Sequence, residues 1–520
     1  MDPSLCPWWQ RGVVYQVYPR SFRDSNGDGI GDLPGVLEGL EHLVNLGVDA
    51  IWLSPVFRSP MRDFGYDIAD HRDIDPVFGT LADADRLIAA AHERGIRVVL
   101  DFVPNHTSSD HPWFADARSS RDAAHRAWYV WRDPAPDGGP PNDMAAQFGG
   151  PAWTLDETTG QYWYHSFLPG QPDLDWRNPA VRGAMLDTLR FWFERGIDGF
   201  RIDVLWMIAK DDWPWRDGSV TDAPSGFGGN PRGALEHGDG PDMDERLREL
   251  RAVADEYPDR VLIGETYMEP RRLVRYYGPD ERGAHLPFNT ALITVPWAPG
   301  PIGAAVEAYE AALPGRAWPS WVLGNHDQSR VATRVGAAQA RVAAMLLLTL
   351  RGTPTLYNGD ELGLPDVPVP PERVVDVDGR DPVRSPMPWT TGPGAGFTTG
   401  EPWLPMTDGP GAFSVEAQAR DPRSMLALHR RLLALRRAEP ALQLGTWAAV
   451  AAPDGVLAYD RSRGGSTFRV LLNLRPEPVH VPAAGPWTVE LSSFLDRETG
   501  TRLDGIVALR ADEGLVLRAG

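Results

Sequence analysis

Arg201 and Asp203 stand two residues apart in the run GFRIDV, Gly199 to Val204. Residues two apart on a strand share a face, so a guanidinium and a carboxylate would emerge there side by side. An arginine that close favours the ionised aspartate and lowers its pKa, which suits a carboxylate that attacks rather than donates a proton. A structural ion pair is the other account of the same two residues, and the run alone does not choose. Three further runs repeat the format: RVVLDFVPNH (Arg97 to His106), VLIGET (Val261 to Thr266) and WVLGNHD (Trp321 to Asp327). Each opens with apolar or β-branched residues, typical of a strand covered on both faces, and finishes in Asp, Asn, His or Glu. Polar residues at the carboxyl ends of several parallel strands are where a (β/α)8 barrel carries its chemistry.

The elements that must position these residues follow the same plan. VVYQVYPRSF (Val13 to Phe22) reads as a first strand, LPGVLEGLEHLVNLGV has helical apolar spacing, and DAIWLSPV (Asp49 to Val56) reads as a second strand. A helix is expected around Ala82 to Arg94, ahead of the strand that begins at Arg97. Residues 104–174 form an irregular insert rich in Trp, Pro and Gly, too long for a plain loop and therefore functional or a small domain. SMLALHRRLLALRRAEPAL (Ser424 to Leu442) has the 3.6-residue period of a helix that closes the barrel. Beyond it, VLAYDRS, FRVLLNL and EGLVLRA alternate between Gly and Pro turns, as in an antiparallel sandwich. The expected architecture is an α/β TIM barrel over residues 1–103 and 175–443, an inserted cleft-wall domain over 104–174 and a C-terminal β-sandwich over 444–520.

Composition bounds the partners. The chain has 520 residues, 42% of them hydrophobic and 23% charged, with a net charge of −20. That acidity repels nucleic acid and anionic membranes, so neither is expected as a partner. With Cys6 alone, no internal disulfide can form, which fits a reducing compartment. The opening MDPSLCPWWQRG has neither signal-peptide nor anchor character, and the apolar run Ala343 to Leu348 is far short of the ~20 residues of a membrane span. A cytoplasmic location is the expectation.

Two loops carry candidate ligands. In DSNGDGIGD, the side chains of Asp24, Asn26, Asp28 and Asp32 alternate oxygen donors with glycines. That pattern fits a calcium loop or a series of Asx turns equally well. FGYDIADH (Phe64 to His71) sets Tyr66 beside Asp67, unremarkable by itself.

In their order, the four strand-end runs resemble the signature segments of glycoside hydrolase family 13, the α-amylase family, and the resemblance extends over nearly the whole chain. It implies a retaining mechanism, which needs two carboxyl groups roughly 5–5.5 Å apart. On that resemblance Asp203 is the nucleophile, Glu265 the acid and base with a raised pKa, and Asp327 a third acid gripping sugar hydroxyls. Tyr66 would be the floor under the sugar, while Asp67, His106 and His326 would bind its hydroxyls. Asp101 and Asn105 would support Arg201 and its loop. RGTPTLYNGDELG (Arg351 to Gly363) resembles the eighth strand, and Arg384 in GRDPVRSPMPW matches an arginine that reaches the terminal glucose. The segment QPDLDW, with Gln171, resembles that of relatives acting on short oligosaccharides, with Asp175 replacing the common Asn. Phe148 and Phe167 match aromatics that narrow the pocket. The family's Ca2+ site would use Asp24, Asn26, Asp28, Asp32 and the carbonyl of Ile30.

The function so implied is an exo-acting α-glucosidase cleaving α-1,4 or α-1,6 bonds of short oligosaccharides, with Val204 leaning towards α-1,6. The alternatives are a trehalose synthase or sucrose isomerase on the same fold and a non-catalytic sugar-binding or scaffold protein. An RLDRD-type run of sucrose isomerases is missing after the NHD segment, which continues QSRVATRVG. The scaffold alternative conflicts with the intact carboxylates.

Overall fold

The computed structural model describes residues 6–210 and 238–520, so the first five residues of the opening lie outside it. Eight short parallel strands form its centre: β1 (Val14–Val17), β2 (Ala50–Leu53), β3 (Arg97–Phe102), β4 (Gly199–Ile202), β5 (Val261–Gly264), β6 (Leu286–Pro287), β7 (Ser320–Val322) and β8 (Thr353–Tyr357). Each pairs with its sequence neighbours, β8 returns to β1, and an Asn289–Trp321 bridge closes the ring between β6 and β7. Almost every strand position is buried, as near-continuous apolar runs require when helices cover one face and the barrel interior the other. β6 escapes sequence reading because it has two ladder residues, one of them proline. At Gly199 an added Cβ would meet the Val261 side chain and carbonyl at 2.4 Å, so the close approach of β4 and β5 needs glycine there.

Helices Leu33–Leu46, Leu81–Glu93, Pro179–Glu194, Met243–Asp255, Pro299–Ala312 and Ala337–Thr349 lie between the strands. Their starts are written locally: Asp32 accepts from Gly35 N, and Thr80 with Asp83 forms a reciprocal capping box. The closing helix is shorter than its period suggests. It runs Met425–Ala438 from an Ser424 cap, and a separate turn spans Pro440–Leu444. Pro440 is the reason, since a proline drives the residue before it out of the helical region, and Glu439 sits at φ −114, ψ 103.

Within residues 104–174, strands Trp131–Arg132, Trp153–Asp156 and Gln161–Tyr164 make a three-stranded antiparallel sheet. His106 bridges to Asp173 and Tyr129 to Leu174, so the insert's two ends are tied together beside β3. From Thr446 to Ala519 six strands bond as one continuous antiparallel ladder rather than two separately bonded sheets. The long strand Val479–Ser492 carries two register shifts, which bend it. Alternation assigns the faces of the paired strands Val456–Arg463 and Ser466–Asn473: Leu457, Tyr459 and Leu472 join the barrel's core, while Val456, Ala458 and Leu471 join a smaller core of the C-terminal strands.

Gly199→Ala tests the closeness of β4 and β5. Overpacking there is expected to cost about 1–3 kcal/mol in urea unfolding. An unchanged midpoint would mean the strands part freely.

Candidate active site

Register brings the central charges together. Asp101 and Arg201 are ladder partners on β3 and β4, and beyond the strands Asp203 N donates to Phe102 O at 2.8 Å and Glu265 N to Ile202 O at 2.9 Å. One guanidinium then meets three carboxylates. Arg201 Nη1 donates to Asp101 Oδ1 at 2.9 Å and Asp203 Oδ1 at 2.8 Å, and Nη2 pairs with Glu265 Oε1 at 2.8 Å. The Trp52 ring lies 4.9 Å from the guanidinium carbon. Asp101 Oδ2 also accepts from Tyr66 OH at 3.0 Å and Trp52 Nε1 at 3.2 Å.

Burial pushes the carboxyls of Asp203, Glu265 and Asp101 up, and Arg201 opposes this in each without overcoming it. The expectation that Arg201 holds Asp203 below its usual range is therefore corrected. A single positive charge shared by three buried carboxylates leaves an excess of negative charge, so each ionised carboxylate opposes ionisation of the others. Glu265 is raised as expected, by burial first and with Asp327 adding to it. Its second oxygen, Oε2, accepts from Val204 N at 2.8 Å. Val204 sits at φ 35, ψ 49, a left-handed conformation that strains a β-branched residue, directly after Asp203.

Asp327 differs. Burial favours its neutral form, but the His326 ring and the guanidiniums of Arg380, Arg384 and Arg201 outweigh that and hold its carboxyl well below the usual range. Its Oδ1 accepts from Arg384 Nη2 at 3.0 Å and Arg380 Nη1 at 3.2 Å. Gln16 Nε2 donates to His326 Nδ1 at 2.8 Å, which leaves the ring proton on Nε2, 3.4 Å from Asp327 Oδ2. Burial lowers the His326 pKa to about 3, so the ring is neutral. Tyr66 stacks on it at 5.3 Å and 4°, with Tyr18 also stacked against it at 5.7 Å.

One sequence assignment needs correction. Asp67 is wholly buried and spent on its own loop, accepting from Ser59 Oγ at 2.8 Å, Arg62 N at 3.0 Å and Asp63 N at 3.1 Å. Asp63, four residues earlier, is the acid that joins the site, pairing with Arg380 Nη2 at 2.7 Å and accepting from Gln171 Nε2 at 2.9 Å. Arg384 is buried like His326 and pairs with Asp327 and the His326 carbonyl, while its Nη1 has no hydrogen-bond partner among the described residues. Arg380, from the same GRDPVR run, pairs with the same Asp327 oxygen at 3.2 Å and has its guanidinium carbon 4.9 Å from the Phe148 ring. Arg380 lies in the GRDPVRSPMPW run that the resemblance marked and Asp63 just ahead of the FGYDIADH run, and only their partners in the fold show that they join the site.

Phe148 and Phe167 do meet, with ring centres 5.5 Å apart, and Phe167 is 5.2 Å from His106. His106 Nδ1 faces Asn105 Nδ2 at 3.2 Å and its Nε2 faces Tyr66 O at 3.1 Å. Tyr267, which sequence reasoning passed over, accepts from Asn325 Nδ2 at 2.9 Å beside Glu265.

Comparison with known proteins follows this geometry. Residues 16–445 match the family model of the alpha amylase catalytic domain. The chain belongs to this α-amylase family. A probable alpha-glucosidase of Rhizobium meliloti (strain 1021) is 41% identical over 495 residues, 90% of each chain. An oligo-1,6-glucosidase of Parageobacillus thermoglucosidasius is 36% identical over 517 residues, again 90% of each. Among solved structures, the alpha-glucosyl transfer enzyme XgtA aligns with a TM-score of 0.93 at 38% identity, covering 99% of this chain and 100% of that one. An isomaltulose synthase mutant from Erwinia rhapontici NX5 aligns with a TM-score of 0.92 at 31% identity, covering 99% of both. As a member of the α-amylase family with such relatives, the protein is a glycoside hydrolase.

In this α-amylase-family chain the candidate calcium loop closes through Asx turns. Asp24 accepts from Asn26 N, Gly27 N and Gly29 N and from the Thr398 hydroxyl, Asn26 Oδ1 from Asp28 N, and Asp28 Oδ1 from Ile30 N. Asp32 is engaged by Ser25 and by the helix start at Gly35 N. The donors are all oxygens, the chemistry a hard cation takes. Among the described residues, however, no three His, Cys, Asp or Glu side chains gather as a metal centre. Asp175, the departure from the family's usual residue, is occupied in a two-pronged pair with Arg177 at 2.7 and 2.8 Å.

The raised carboxyls make a stability prediction. A carboxyl held above its unfolded value favours the folded state fully below that value and loses the contribution as pH rises through the folded one. Asp203→Asn is therefore expected to raise the thermal midpoint at pH 7, with the gain shrinking towards pH 4. An equal gain at both pH values would show that the cluster holds no extra proton.

Proposed function

We propose that the protein is a retaining, exo-acting α-glucosidase that removes terminal α-linked glucose from short oligosaccharides. The supporting observation is that Asp203 and Glu265 share the two terminal nitrogens of Arg201. Two carboxyl groups held by one guanidinium are neighbours, in keeping with the roughly 5–5.5 Å spacing that a retaining pair needs. Asp203 attacks the anomeric carbon while Glu265 gives its proton to the leaving oxygen. Glu265, now a carboxylate, takes a proton from water as the water attacks the glucosyl enzyme.

The transition state between these steps carries positive charge on the sugar ring. Six carboxylates, Asp63, Asp101, Asp203, Glu265, Asp327 and Asp376, surround the site with three guanidiniums, Arg201, Arg380 and Arg384. The negative excess favours that charge, and Asp327 supplies a carboxylate that stays ionised. An exo mode is supported by the Asp63–Arg380 pair, the Phe148–Phe167 contact and the Arg380 guanidinium 4.9 Å from the Phe148 ring, a continuous set of side chains that would close a sugar site on one side. The Val204 side chain beside the nucleophile carries the lean towards α-1,6 bonds. Solved structures of a transfer enzyme and an isomaltulose synthase support a second reading, in which a sugar rather than water takes the glucosyl group.

Time courses on maltose, isomaltose and sucrose, with products resolved by anomeric proton NMR, separate these. α-Glucose released first is the expected result, and the fastest substrate fixes the linkage. A rearranged disaccharide with little free glucose would favour transfer, and β-glucose first would remove Asp203 as nucleophile.

The proposal includes a structural Ca2+ in the Asp24–Asp32 loop, supported by the all-oxygen donor set. Extensive dialysis against chelator is expected to lower the thermal midpoint and added calcium to restore it. A midpoint indifferent to both would leave the loop's own hydrogen bonds as its whole stabilisation.

A further inference from the structure

Of the chain's 51 lysines and arginines, only Lys210 is lysine. It lies seven residues beyond Asp203, with its side chain 8% exposed. Its ammonium reaches three acceptors: Asn105 Oδ1 at 2.7 Å, the Met207 carbonyl at 2.9 Å and Asp173 Oδ2 at 3.0 Å. Three donors radiating from one atom meet three acceptors, a demand that a planar guanidinium fork cannot copy.

The consequence travels through Asn105. An ammonium can only donate and the Asp173 carboxylate accepts, so Asn105 must turn its oxygen to Lys210 and its amide nitrogen to Asp173 Oδ2, at 3.1 Å. Turned that way, the same nitrogen donates to His106 Nδ1 at 3.2 Å. That places the ring proton on Nε2, which faces the Tyr66 carbonyl at 3.1 Å and, at 3.2 Å, the Gln171 amide nitrogen that donates to Asp63. Asp173 is in turn held by Ser166 N at 2.8 Å and by the Ser166 hydroxyl, so the lysine joins the loop after β4, the end of β3 and the closing segment of the insert.

We infer that Lys210 is a positioning residue for the sugar site: through Asn105 it keeps the buried His106 ring neutral and its donor on Nε2. This rests on the proposed role of His106 towards substrate. The charged groups facing His106 are Asp173 and Asp63, which favour its protonation, and Lys210, which opposes it, the neighbouring His71 ring being held neutral by burial with a pKa of about 4. Burial is the largest influence and lowers the His106 pKa. Without the lysine, two carboxylates would face the imidazole with no ammonium between them.

The test is NMR of 15N-histidine-labelled protein, with His106 assigned by its missing signal in His106→Gln. In the parent, His106 is expected to stay the neutral Nε2–H tautomer between pH 5 and 8. In Lys210→Met it is expected to titrate inside that window, with KM rising roughly tenfold or more at pH 6 and kcat changing less. Lys210→Arg is expected to fall short of the parent in the same direction. Should Lys210→Met not fold, Asn105→Asp tests the same chain with the lysine kept, since a carboxylate facing Nδ1 requires a proton there. An unchanged His106 signature in whichever of these variants folds would overturn the inference, as would parental behaviour of Lys210→Arg. If the His106 signature shifts as expected while KM stays constant, the lysine's role stands and the role of His106 in sugar binding falls.

Discussion

A single buried guanidinium set among three carboxylates is the constraint on which the rest of this structure depends. Arg201 is 1% exposed, and its terminal nitrogens are shared by Asp101, Asp203 and Glu265. Removing such a group would leave several buried charges uncompensated, a cost of about 3–5 kcal/mol for a single broken pair. The cluster's negative excess is unfavourable in the resting protein and becomes favourable only when a sugar ring develops positive charge within it.

The barrel is what makes so crowded an arrangement possible. Parallel register places Asp101 opposite Arg201, and the ladder bonds at Asp203 N and Glu265 N extend that register past the strand ends. Side chains from separate parts of the chain thus arrive at one height without loops having to be ordered for the purpose. The strained Val204 backbone is part of the same economy, since its conformation turns an amide towards Glu265 immediately after the nucleophile position.

Around that centre a second group of charges forms the rim. Asp63, Asp327 and Asp376 share Arg380, and Arg384 also pairs with Asp327, so the outer acids are neutralised far more fully than the inner ones. This difference in compensation, rather than residue type, separates Asp327, held ionised, from Asp203 and Glu265, which burial raises. Lys210 adds a third station, joining the end of β3 to the insert through Asn105 and Asp173. The site is therefore bound to the insert by charge as well as by the Arg380 guanidinium over the Phe148 ring.

By itself the sequence determined the barrel, seven of its eight strands, the insert and the residues at the strand ends, because strand burial writes itself as apolar runs and a strand end as the polar residue that follows. It also marked the segments of the rim that carry Asp327 and Arg380. What it could not decide was which acid near Tyr66 joins the site, because Asp63 and Asp67 have the same chemistry and differ only in the partners that the fold gives them. β6 was hidden for lack of length, and the direction of the Asp203 shift for lack of a charge count. A pKa depends on every charge within a few ångströms and on the water excluded with them, and those neighbours come together only in the folded chain.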